Sequence, residues 1–397
     1  MKMIISGGGT GGHISPAQAI IAEWQERQGE VLYLGGRESQ EEALAQREGM
    51  NFEGLPVKPL PRKLSLKLLN SGISNLSAFL RAWHIIKDYD PEVVVGTGGF
   101  TAGPVLLAAA IRGYPTLIHE QNSYPGLTNR LLARVVDRVA VSFPDSAKFF
   151  PPASRSKIRV TGNPVRQSIL DAARENFKTP LGECIGDVFP ENFLRAGDLL
   201  LLVMGGSQGS KFINEIMLEI YPGLLEKNNE KPGEKIERDP GELELKVLHL
   251  AGKANYQRFK ALLEEKLSAA ARRKIVVLDY LNEIEKPLAR ADLLIGRAGA
   301  STIAEITAVG LPSILLPYPY AAGDHQLRNA RYLSREGAAV LLQEDSLEPE
   351  DLLAEIITLF SQEEKLSSMS RAASELGRPE AIQEIMEEIL TLVNDTI

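Results

Sequence analysis

The sequence predicts an α/β protein with two domains in series, each built on a parallel β-sheet. Short apolar runs alternate with amphipathic helical patterns along the whole chain, and buried strands separated by helices are typical of parallel sheets covered on both faces. The pattern also restarts, because the apolar run at 199–204 is followed by a glycine-rich turn, as the run at 3–5 is. The length of 397 residues suits two cores. We expect two Rossmann-like domains joined near Asn163 and Pro164, with ligands at the carboxyl ends of the strands and in the cleft between the domains.

Each strand is expected where a short apolar run ends in glycine or polar residues. In the first domain these runs lie at 3–6, 31–34, 93–96, 115–119, 138–142 and 158–161. In the second they lie at 199–204, 246–250, 275–278, 293–295, 313–316 and 339–341. Helical periodicity predicts helices at 351–360, 363–376 and 379–393. Two stretches rich in glycine, proline and charge, 171–197 and 226–244, look like insertions, and no function is assigned to them.

Composition excludes several classes of protein. The chain is 44% hydrophobic and 24% charged, as soluble globular proteins are, and its net charge of −8 argues against a general nucleic-acid binder. The single cysteine, Cys184, permits neither an intrachain disulfide nor a cysteine-based zinc site, which fits a reducing cytoplasm. The N-terminus lacks the apolar length of a signal peptide. The uncharged runs 93–111 and 306–323 are broken by glycines and prolines, so neither predicts a membrane-spanning helix.

The glycine-rich segment 6–13 (SGGGTGGH) predicts a phosphate-binding turn between the first strand and the first helix. Glycines let the backbone approach a ligand closely, and the helix start offers free N–H groups to anionic oxygens. The spacing also matches the dinucleotide fingerprint, but that fingerprint needs an acidic residue at the end of the second strand. Here that strand ends in Gly35-Gly36-Arg37, and Glu38 is a weak substitute. We therefore expect a phosphate other than that of a dinucleotide cofactor.

Two more polar segments follow strands of the first domain. His13 supplies an imidazole, which titrates near neutral pH and suits proton transfer, although it would also serve as a helix cap. The segment 95–104 (VGTGGFTAGP) is a second glycine turn, suited to a diphosphate shared with the first or to close helix packing. The cluster HEQN at 119–122 is costly to bury without a purpose. It suits contacts to hydroxyls or proton transfer better than a metal, because no second ligand cluster has telling spacing.

The second domain carries a further anion site at 296–305 (GRAGASTIAE). Ala300, Ser301 and Thr302 open a helix whose N-terminus suits a diphosphate, and Glu305 suits the vicinal diol of a ribose. A capping box without a ligand fits less well, because it needs a gap of three residues rather than four. Gln326 and Asn329 share a helix face and are expected to contact sugar hydroxyls.

The segment 58–87 is positively charged, although the chain as a whole has a net negative charge, because it contains several basic residues and no acidic one. They border an apolar helical face, which is typical of a segment lying on anionic lipid. The alternative is that half of the apolar residues serve the domain core; nucleic acid fits less well. The residues expected at the membrane are Lys63, Lys67, Leu68, Ile73, Phe79 and Trp83.

Taken together, these segments resemble the MurG family of glycosyltransferases. The matching stretches are 8–13 (GGTGGH), 96–100 (GTGGF), 119–122 (HEQN), 161–166 (TGNPVR), 205–209 (GGSQG), 297–305 (RAGASTIAE), 324–326 (DHQ) and 329–330 (NA). They run in family order over nearly the whole chain. Phe100 stands where many relatives carry tyrosine, and the two insertions are longer than usual.

The resemblance implies a GT-B fold: an acceptor and membrane domain at 1–163, a UDP-GlcNAc domain at 164–378, and a C-terminal helix at 379–397 that packs back on the first domain. It implies inverting transfer of N-acetylglucosamine from UDP-GlcNAc to the muramoyl C4 hydroxyl of lipid I, which gives lipid II for peptidoglycan. No cofactor and no metal ion are implied. The implied location is peripheral, on anionic lipids at the cytoplasmic face of the inner membrane, with cell-wall synthesis and division proteins as partners. A diacylglycerol glycosyltransferase and a UDP-GlcNAc 2-epimerase are the alternatives.

The family's site residues carry over by position. His13 is the implied base, with Glu120 as its rival. The residues implied to bind the acceptor diphosphate are Gly9, Thr10, Gly98 and Gly99. The residues implied to bind the donor UDP-GlcNAc are Thr10, Gly11, Gly12, Asn122, Arg166, Ser207, Leu281, Ala300, Ser301, Thr302, Glu305, Gln326 and Asn329.

Overall fold

The computed structural model describes residues 1–59, 66–175, 193–195, 197–206, 208–226 and 244–395, with the backbone alone at 66–70. It divides into two compact units. The first consists of Met1–Val165 together with Arg378–Ile397, and the second of Arg166–Gly377. The expected insertions at 171–197 and 226–244, and Cys184, lie largely or wholly outside the described residues.

The first unit is built on a seven-stranded parallel sheet with the order β3-β2-β1-β4-β5-β6-β7. Its strands are β1 Lys2–Gly7, β2 Glu30–Gly36, β3 Phe52–Leu55, β4 Val93–Gly98, β5 Thr116–Glu120, β6 Arg138–Val141 and β7 Ile158–Val160. Its helices are α1 Gly11–Glu26, α2 Gln40–Glu48, α3 Leu66–Tyr89, α4 Gly99–Arg112 and α5 Leu127–Leu132, with 3₁₀ turns at Pro144–Phe149 and Pro152–Lys157.

The second unit has a six-stranded parallel sheet with the order β10-β9-β8-β11-β12-β13. Its strands are β8 Leu199–Met204, β9 Leu245–Leu250, β10 Ile275–Leu278, β11 Leu293–Gly296, β12 Ser313–Leu315 and β13 Ala339–Leu341. Its helices are α6 Gln167–Arg174, α7 Lys211–Leu225, α8 Tyr256–Lys266, α9 Ala269–Arg272, α10 Glu285–Arg290, α11 Ala300–Ala308, α12 His325–Arg335, α13 Pro349–Ser361 and α14 Glu363–Leu376. Short 3₁₀ turns lie at Ala322–Asp324 and Glu344–Ser346.

The last helix, α15 (Ala381–Asn394), belongs to the first unit. Alternate residues of a strand point to opposite faces, and Met3 and Ile5 of β1 pack on one face in a cluster with Trp24 of α1 and Ile385 of α15. Ile4 points to the other face, in the cluster that contains residues of α3 and α4. The near-continuous apolar strands are explained by this burial on both faces.

The predicted α/β class with two parallel sheets is confirmed, and all twelve predicted strands are present within about two residues at each end. One strand was missed. β3 at Phe52–Leu55 is a short edge strand whose Glu53 and Gly54 interrupt any apolar run, so it carried no strand signal.

The sheet orders position the functional loops. β4 lies between β1 and β5, and all three run parallel. The loops that follow these strands therefore meet at one edge of the sheet, at the carboxyl ends, where ligands bind in open α/β sheets. The same holds for the loops after β8, β11 and β12 in the second unit.

Candidate functional site

Two glycine turns of the first unit touch each other. The amide of Gly8 donates to the carbonyl of Gly98 at 3.4 Å, and a β-carbon on Gly99 would overlap the carbonyl of Gly8. Gly98 and Gly99 have φ of +98° and +80°, a region that favours glycine. Gly11 and Gly12 are exposed at the start of α1, where a β-carbon on Gly11 would meet open space. The arrangement leaves helix N–H groups beside two closely spaced turns, as a diphosphate would require.

His13 lies in the first turn of α1 with its ring against the second glycine turn. Its Nδ1 is 2.9 Å from the carbonyl oxygen of Thr97 and 3.0 Å from Oε1 of Gln121. Thr97 also donates its hydroxyl to the His13 carbonyl at 2.8 Å, so both the backbone and the ring of His13 are tied to β4. Because two oxygens face Nδ1, the neutral ring carries its proton there and its lone pair on Nε2. Such a ring is set up to accept a proton.

Glu120, the rival for the base, is a buried structural carboxylate. Its Oε1 accepts from the amide of Asn122 at 3.0 Å, and its Oε2 accepts from the amide of Gly126 and from Nδ2 of Asn129, both at 2.9 Å. The Asn122 side chain adds a longer bond of 3.3 Å. Four donors occupy both carboxylate oxygens, so Glu120 shapes the loop between β5 and α5. Asn122, expected at the donor sugar, is drawn into the same cluster.

Glu41 was not singled out from the sequence. Its carboxylate is fully buried and accepts from the amides of Gly36 at 3.1 Å and Gly9 at 3.3 Å. A β-carbon on Gly8 would overlap that carboxylate. Tyr33 supports the same turn, since its hydroxyl donates to the Gly7 carbonyl at 2.7 Å. Tyr33 was not singled out because it lies within the continuous apolar run of the second strand, and nothing in the pattern of α2 marked Glu41.

In the second unit, α11 begins at Ala300 after a three-residue loop that follows β11, and a helix start at this position was expected. The helix start from Ala300 to Ile303 carries no carboxylate, and the buried hydroxyl of Ser301 has no hydrogen-bond partner among the described residues. Helix N-terminal N–H groups and a free hydroxyl together suit an anionic oxygen. Ser207, expected to hold the same diphosphate, lies outside the described residues.

Glu305 lies inside α11 and pairs with Arg166 across 3.5 Å. Burial raises the pKa of the Glu305 carboxyl above its usual range, and the nearby Arg166 guanidinium offsets part of that rise. The two residues expected at the ribose and uridine are therefore together.

Arg297, in the loop between β11 and α11, connects the ends of several strands. Its buried guanidinium donates to the Leu316 carbonyl at 2.9 Å, to Glu344 at 2.6 Å and to the Ser210 hydroxyl at 2.7 Å. Ser210 caps α7 by accepting from the amide of Ile213. A planar guanidinium with several fixed donors suits this role, and a lysine could not replace it.

Of the remaining donor candidates, Asn329 is fully buried and donates to the Ala298 carbonyl at 3.2 Å. It therefore supports the turn before α11, and its expected contact with a sugar stays a prediction. Gln326 accepts from the Tyr318 amide at 2.9 Å and holds the proline-rich turn. Leu281 is half-buried in the loop after β10.

An exposed apolar surface spans neighbouring helices of the first unit, and we call it the apolar patch. Ile73 is 61% exposed and Leu127 63%. The patch consists of Ile73, Leu76, Leu80, Leu107, Ile111, Leu127, Leu131 and Val135. Phe79 and Trp83, expected at the membrane, are half-buried and pack against the domain core, which agrees with the alternative that part of this segment serves the core. Lys63 and the side chains of Lys67 and Leu68 lie outside the described residues.

Both units match domains of a known protein family. Residues 3–141 match the glycosyltransferase family 28 N-terminal domain, and residues 200–385 match its C-terminal domain. A relative from Halothermothrix orenii, named UDP-N-acetylglucosamine–N-acetylmuramyl-(pentapeptide) pyrophosphoryl-undecaprenol N-acetylglucosamine transferase, is 41% identical over 397 residues, which is 100% of this chain and 99% of the relative. The crystal structure of Acinetobacter baumannii MurG is similar, with a TM-score of 0.73, 27% identity, and coverage of 98% and 99% of the two chains.

The chain belongs to the MurG family of glycosyltransferases. The family resemblance and the GT-B class predicted from the sequence are thereby confirmed. A UDP-GlcNAc 2-epimerase from Neisseria meningitidis, solved with UDP-GlcNAc bound, has a TM-score of 0.66 at 15% identity and covers 98% of this chain and 100% of its own. At that identity the likeness concerns the fold alone.

The buried position of Glu120 yields a stability prediction. Replacing it by glutamine (Glu120→Gln) keeps its shape but turns one acceptor into a donor that faces other donors. We expect the free energy of unfolding of the first unit to fall by about 1–3 kcal/mol. Both tryptophans, Trp24 and Trp83, lie in that unit, so urea unfolding followed by fluorescence measures it.

The matched control is Glu26→Gln at an exposed position of α1, with an expected change below about 0.5 kcal/mol. Equal stability of Glu120→Gln and wild type would contradict the structural role of this carboxylate.

Proposed function

We propose that the protein transfers N-acetylglucosamine from UDP-GlcNAc to the muramoyl C4 hydroxyl of lipid I, with inversion at the anomeric carbon. The relatives' printed names supply the reaction. The observation that carries the proposal is the pair of touching glycine turns with the His13 ring beside them, because it combines an anion seat with a proton acceptor.

The donor belongs to the second unit in this proposal. The start of α11 and the Ser301 hydroxyl bind its diphosphate, and Glu305 accepts hydrogen bonds from the ribose diol. Arg166, which pairs with Glu305, lies at the uridine. The loop near Leu281 completes the uridine region.

The acceptor belongs to the first unit. Gly9, Thr10, Gly98 and Gly99 provide the seat for its diphosphate, since the two turns touch each other beside the first N–H groups of α1, which have no partner within the helix.

The reaction then needs a base and a stabilised leaving group. The acceptor hydroxyl oxygen attacks the anomeric carbon of N-acetylglucosamine and forms a new bond to it. The bond between that carbon and the phosphate oxygen of UDP breaks, and the hydroxyl proton passes to Nε2 of His13. The negative charge that develops on the departing UDP is stabilised by the N–H groups at the start of α11. The four donors around the Glu120 carboxylate support His13 over Glu120 as the base.

The apolar patch is proposed to rest on the cytoplasmic membrane face, where lipid I would be reached. In the described part of the chain, no helix is long and apolar enough to cross a bilayer. The patch groups eight exposed apolar residues on neighbouring helices, whereas singly scattered exposed apolar residues are ordinary on protein surfaces. Four basic residues lie on or next to the same helices: Arg81, Arg112, Arg130 and Arg134. Basic residues around an apolar surface favour an anionic lipid surface.

The direct test supplies UDP-[¹⁴C]GlcNAc together with a lipid I analogue. Label in the lipid fraction is expected. Release of UDP with N-acetylmannosamine would favour the epimerase, label on diacylglycerol would favour the related lipid glycosyltransferase, and no transfer at all would sink the proposal.

His13→Ala should lower kcat by about 10²–10⁴, the usual contribution of a positioned base, with little change in KM for UDP-GlcNAc. Steady-state kinetics with a soluble acceptor analogue measure both constants. His84→Ala, at an exposed histidine of α3, is the control and should keep the wild-type kcat. Near-normal turnover of His13→Ala would show that another group is the base.

Donor affinity should depend on the ionisation of Glu305. Since burial raises the pKa of this carboxyl, it becomes protonated at a higher pH than an ordinary glutamate and then accepts ribose hydrogen bonds less well. The Kd for UDP-GlcNAc should therefore rise as pH falls through that raised pKa. Glu305→Gln should weaken binding by about 10–100-fold and remove this pH dependence.

Calorimetric titrations over a pH series measure the effect, with Glu264→Gln at an exposed position of the same unit as control. Wild-type affinity in Glu305→Gln would refute the ribose contact.

Membrane binding should depend on the apolar patch. The double variant Leu127→Ser, Leu131→Ser should bind phosphatidylglycerol vesicles about tenfold or more weakly than wild type, because each buried leucine contributes about 1.5–3 kcal/mol. Vesicle sedimentation measures this. Tyr320→Ser, at a residue of the second unit that is 81% exposed, should bind as wild type does. Unchanged binding of the double variant would rule out the patch as the docking surface.

A further inference from the structure

A chain of polar contacts runs inward from His13. The ring Nδ1 lies 3.0 Å from Oε1 of Gln121, and Nε2 of Gln121 lies 2.9 Å from Nδ1 of His119. His119 in turn places its Nε2 2.9 Å from the carbonyl oxygen of Gly162. Gln121 and His119 are essentially fully buried. Neither has a role in the reaction proposed above.

The protons in this chain can be placed one after another, starting from the inner end. A carbonyl only accepts, so Nε2 of His119 carries a hydrogen that it donates to Gly162. Burial lowers the pKa of His119 to about 4, so the ring is neutral and its Nδ1 is an acceptor. Gln121 must therefore turn its NH₂ group toward His119 and its oxygen toward His13.

The outer end of the chain agrees with this assignment. Nε2 of Gln121 also donates to the Thr97 carbonyl at 2.8 Å, the same oxygen that faces Nδ1 of His13. Both acceptors near Nδ1 are thereby held in place by one amide. The ring has little freedom on its other side, since a β-carbon on Gly98 would lie 2.9 Å from its Cε1 and Nδ1.

We infer that Gln121, oriented by His119, is the positioning residue that fixes the tautomer and the ring orientation of His13. The inference rests on the proposed function in one respect, namely that His13 is the base. Free imidazole exchanges its proton between both nitrogens. The contacts to Gln121 and Thr97 keep it on Nδ1 and leave the Nε2 lone pair for the acceptor hydroxyl. The segment 119–122 (HEQN) thus has two roles: Gln121 and His119 position His13, and Glu120 holds the loop between β5 and α5.

The test uses Gln121→Met, which keeps the length of the side chain and removes both polar atoms. We expect kcat to fall at least about tenfold, which is part of the 10²–10⁴ that a positioned base contributes. The KM for UDP-GlcNAc should stay within about twofold, because the residues assigned to the nucleotide lie in the second unit. Gln121→Glu, which still accepts from Nδ1 of His13, should retain more of kcat than Gln121→Met.

A spectroscopic readout separates positioning from general damage. The chain has five histidines, so long-range ¹H–¹⁵N correlation spectra of histidine-labelled protein can be assigned by single substitutions. Neutral His13 should show the Nδ1–H tautomer in wild type and a mixture of both tautomers in Gln121→Met. Ser154→Ala removes a buried hydroxyl of the same unit that has no partner among the described residues, and should leave spectrum and kcat unchanged.

The outcomes distinguish the two levels of the account. A wild-type tautomer of His13 in Gln121→Met overturns the inference. An altered tautomer with unchanged kcat leaves the positioning contact in place and overturns the assignment of His13 as base. A loss of kcat together with mixed tautomers supports both.

Discussion

The backbone contact between the two glycine turns of the first unit is the constraint on which the rest of that site depends. Gly99 approaches the Gly8 carbonyl so closely that no side chain fits, and this brings the start of α1 against the end of β4. His13 can then reach the Thr97 carbonyl, and Thr97 can reach the backbone of His13. Glu41 and Tyr33 hold the first turn from behind through Gly9 and Gly7. The proposed anion seat and the proposed base thus share one scaffold.

The second unit reaches a comparable result by another route. There, a buried guanidinium connects the loops: Arg297 joins Ser210, Leu316 and Glu344, which belong to loops after three different strands. Asn329 supports the same turn from α12. Truncating Arg297 would leave the partly buried Glu344 carboxylate without this ion pair, which costs more than the loss of a fully exposed pair. In both units, buried polar side chains therefore hold the glycine-rich loops in place through hydrogen bonds.

Periodicity and glycine turns were enough to predict the fold class and nearly every strand, because burial on both sheet faces leaves continuous apolar runs in the sequence. They could not reveal β3, where Glu53 and Gly54 interrupt the run. Residues that contact across distant segments were also beyond reach: Glu41 meets Gly9 only after α2 folds against the first turn. The sequence made Glu120 a candidate base, but the four donors around its carboxylate depend on the fold of the loop after β5 and could not be predicted from the sequence. Likewise, the segment 58–87 indicated an apolar surface, but the exposed members on α4 and α5 depend on how three helices align.

The central claim is that the acceptor diphosphate binds the first unit and the nucleotide binds the second. Amide spectra of protein labelled with ¹⁵N-glycine test it most directly, because both anion sites are rich in glycine. A lipid I analogue with a short, soluble tail should shift the amide signals of Gly9, Gly98 and Gly99, whereas UDP-GlcNAc should shift those of Gly209 and Gly299. Shifts of Gly209 and Gly299 by the acceptor analogue, with Gly9, Gly98 and Gly99 unmoved, would contradict the account.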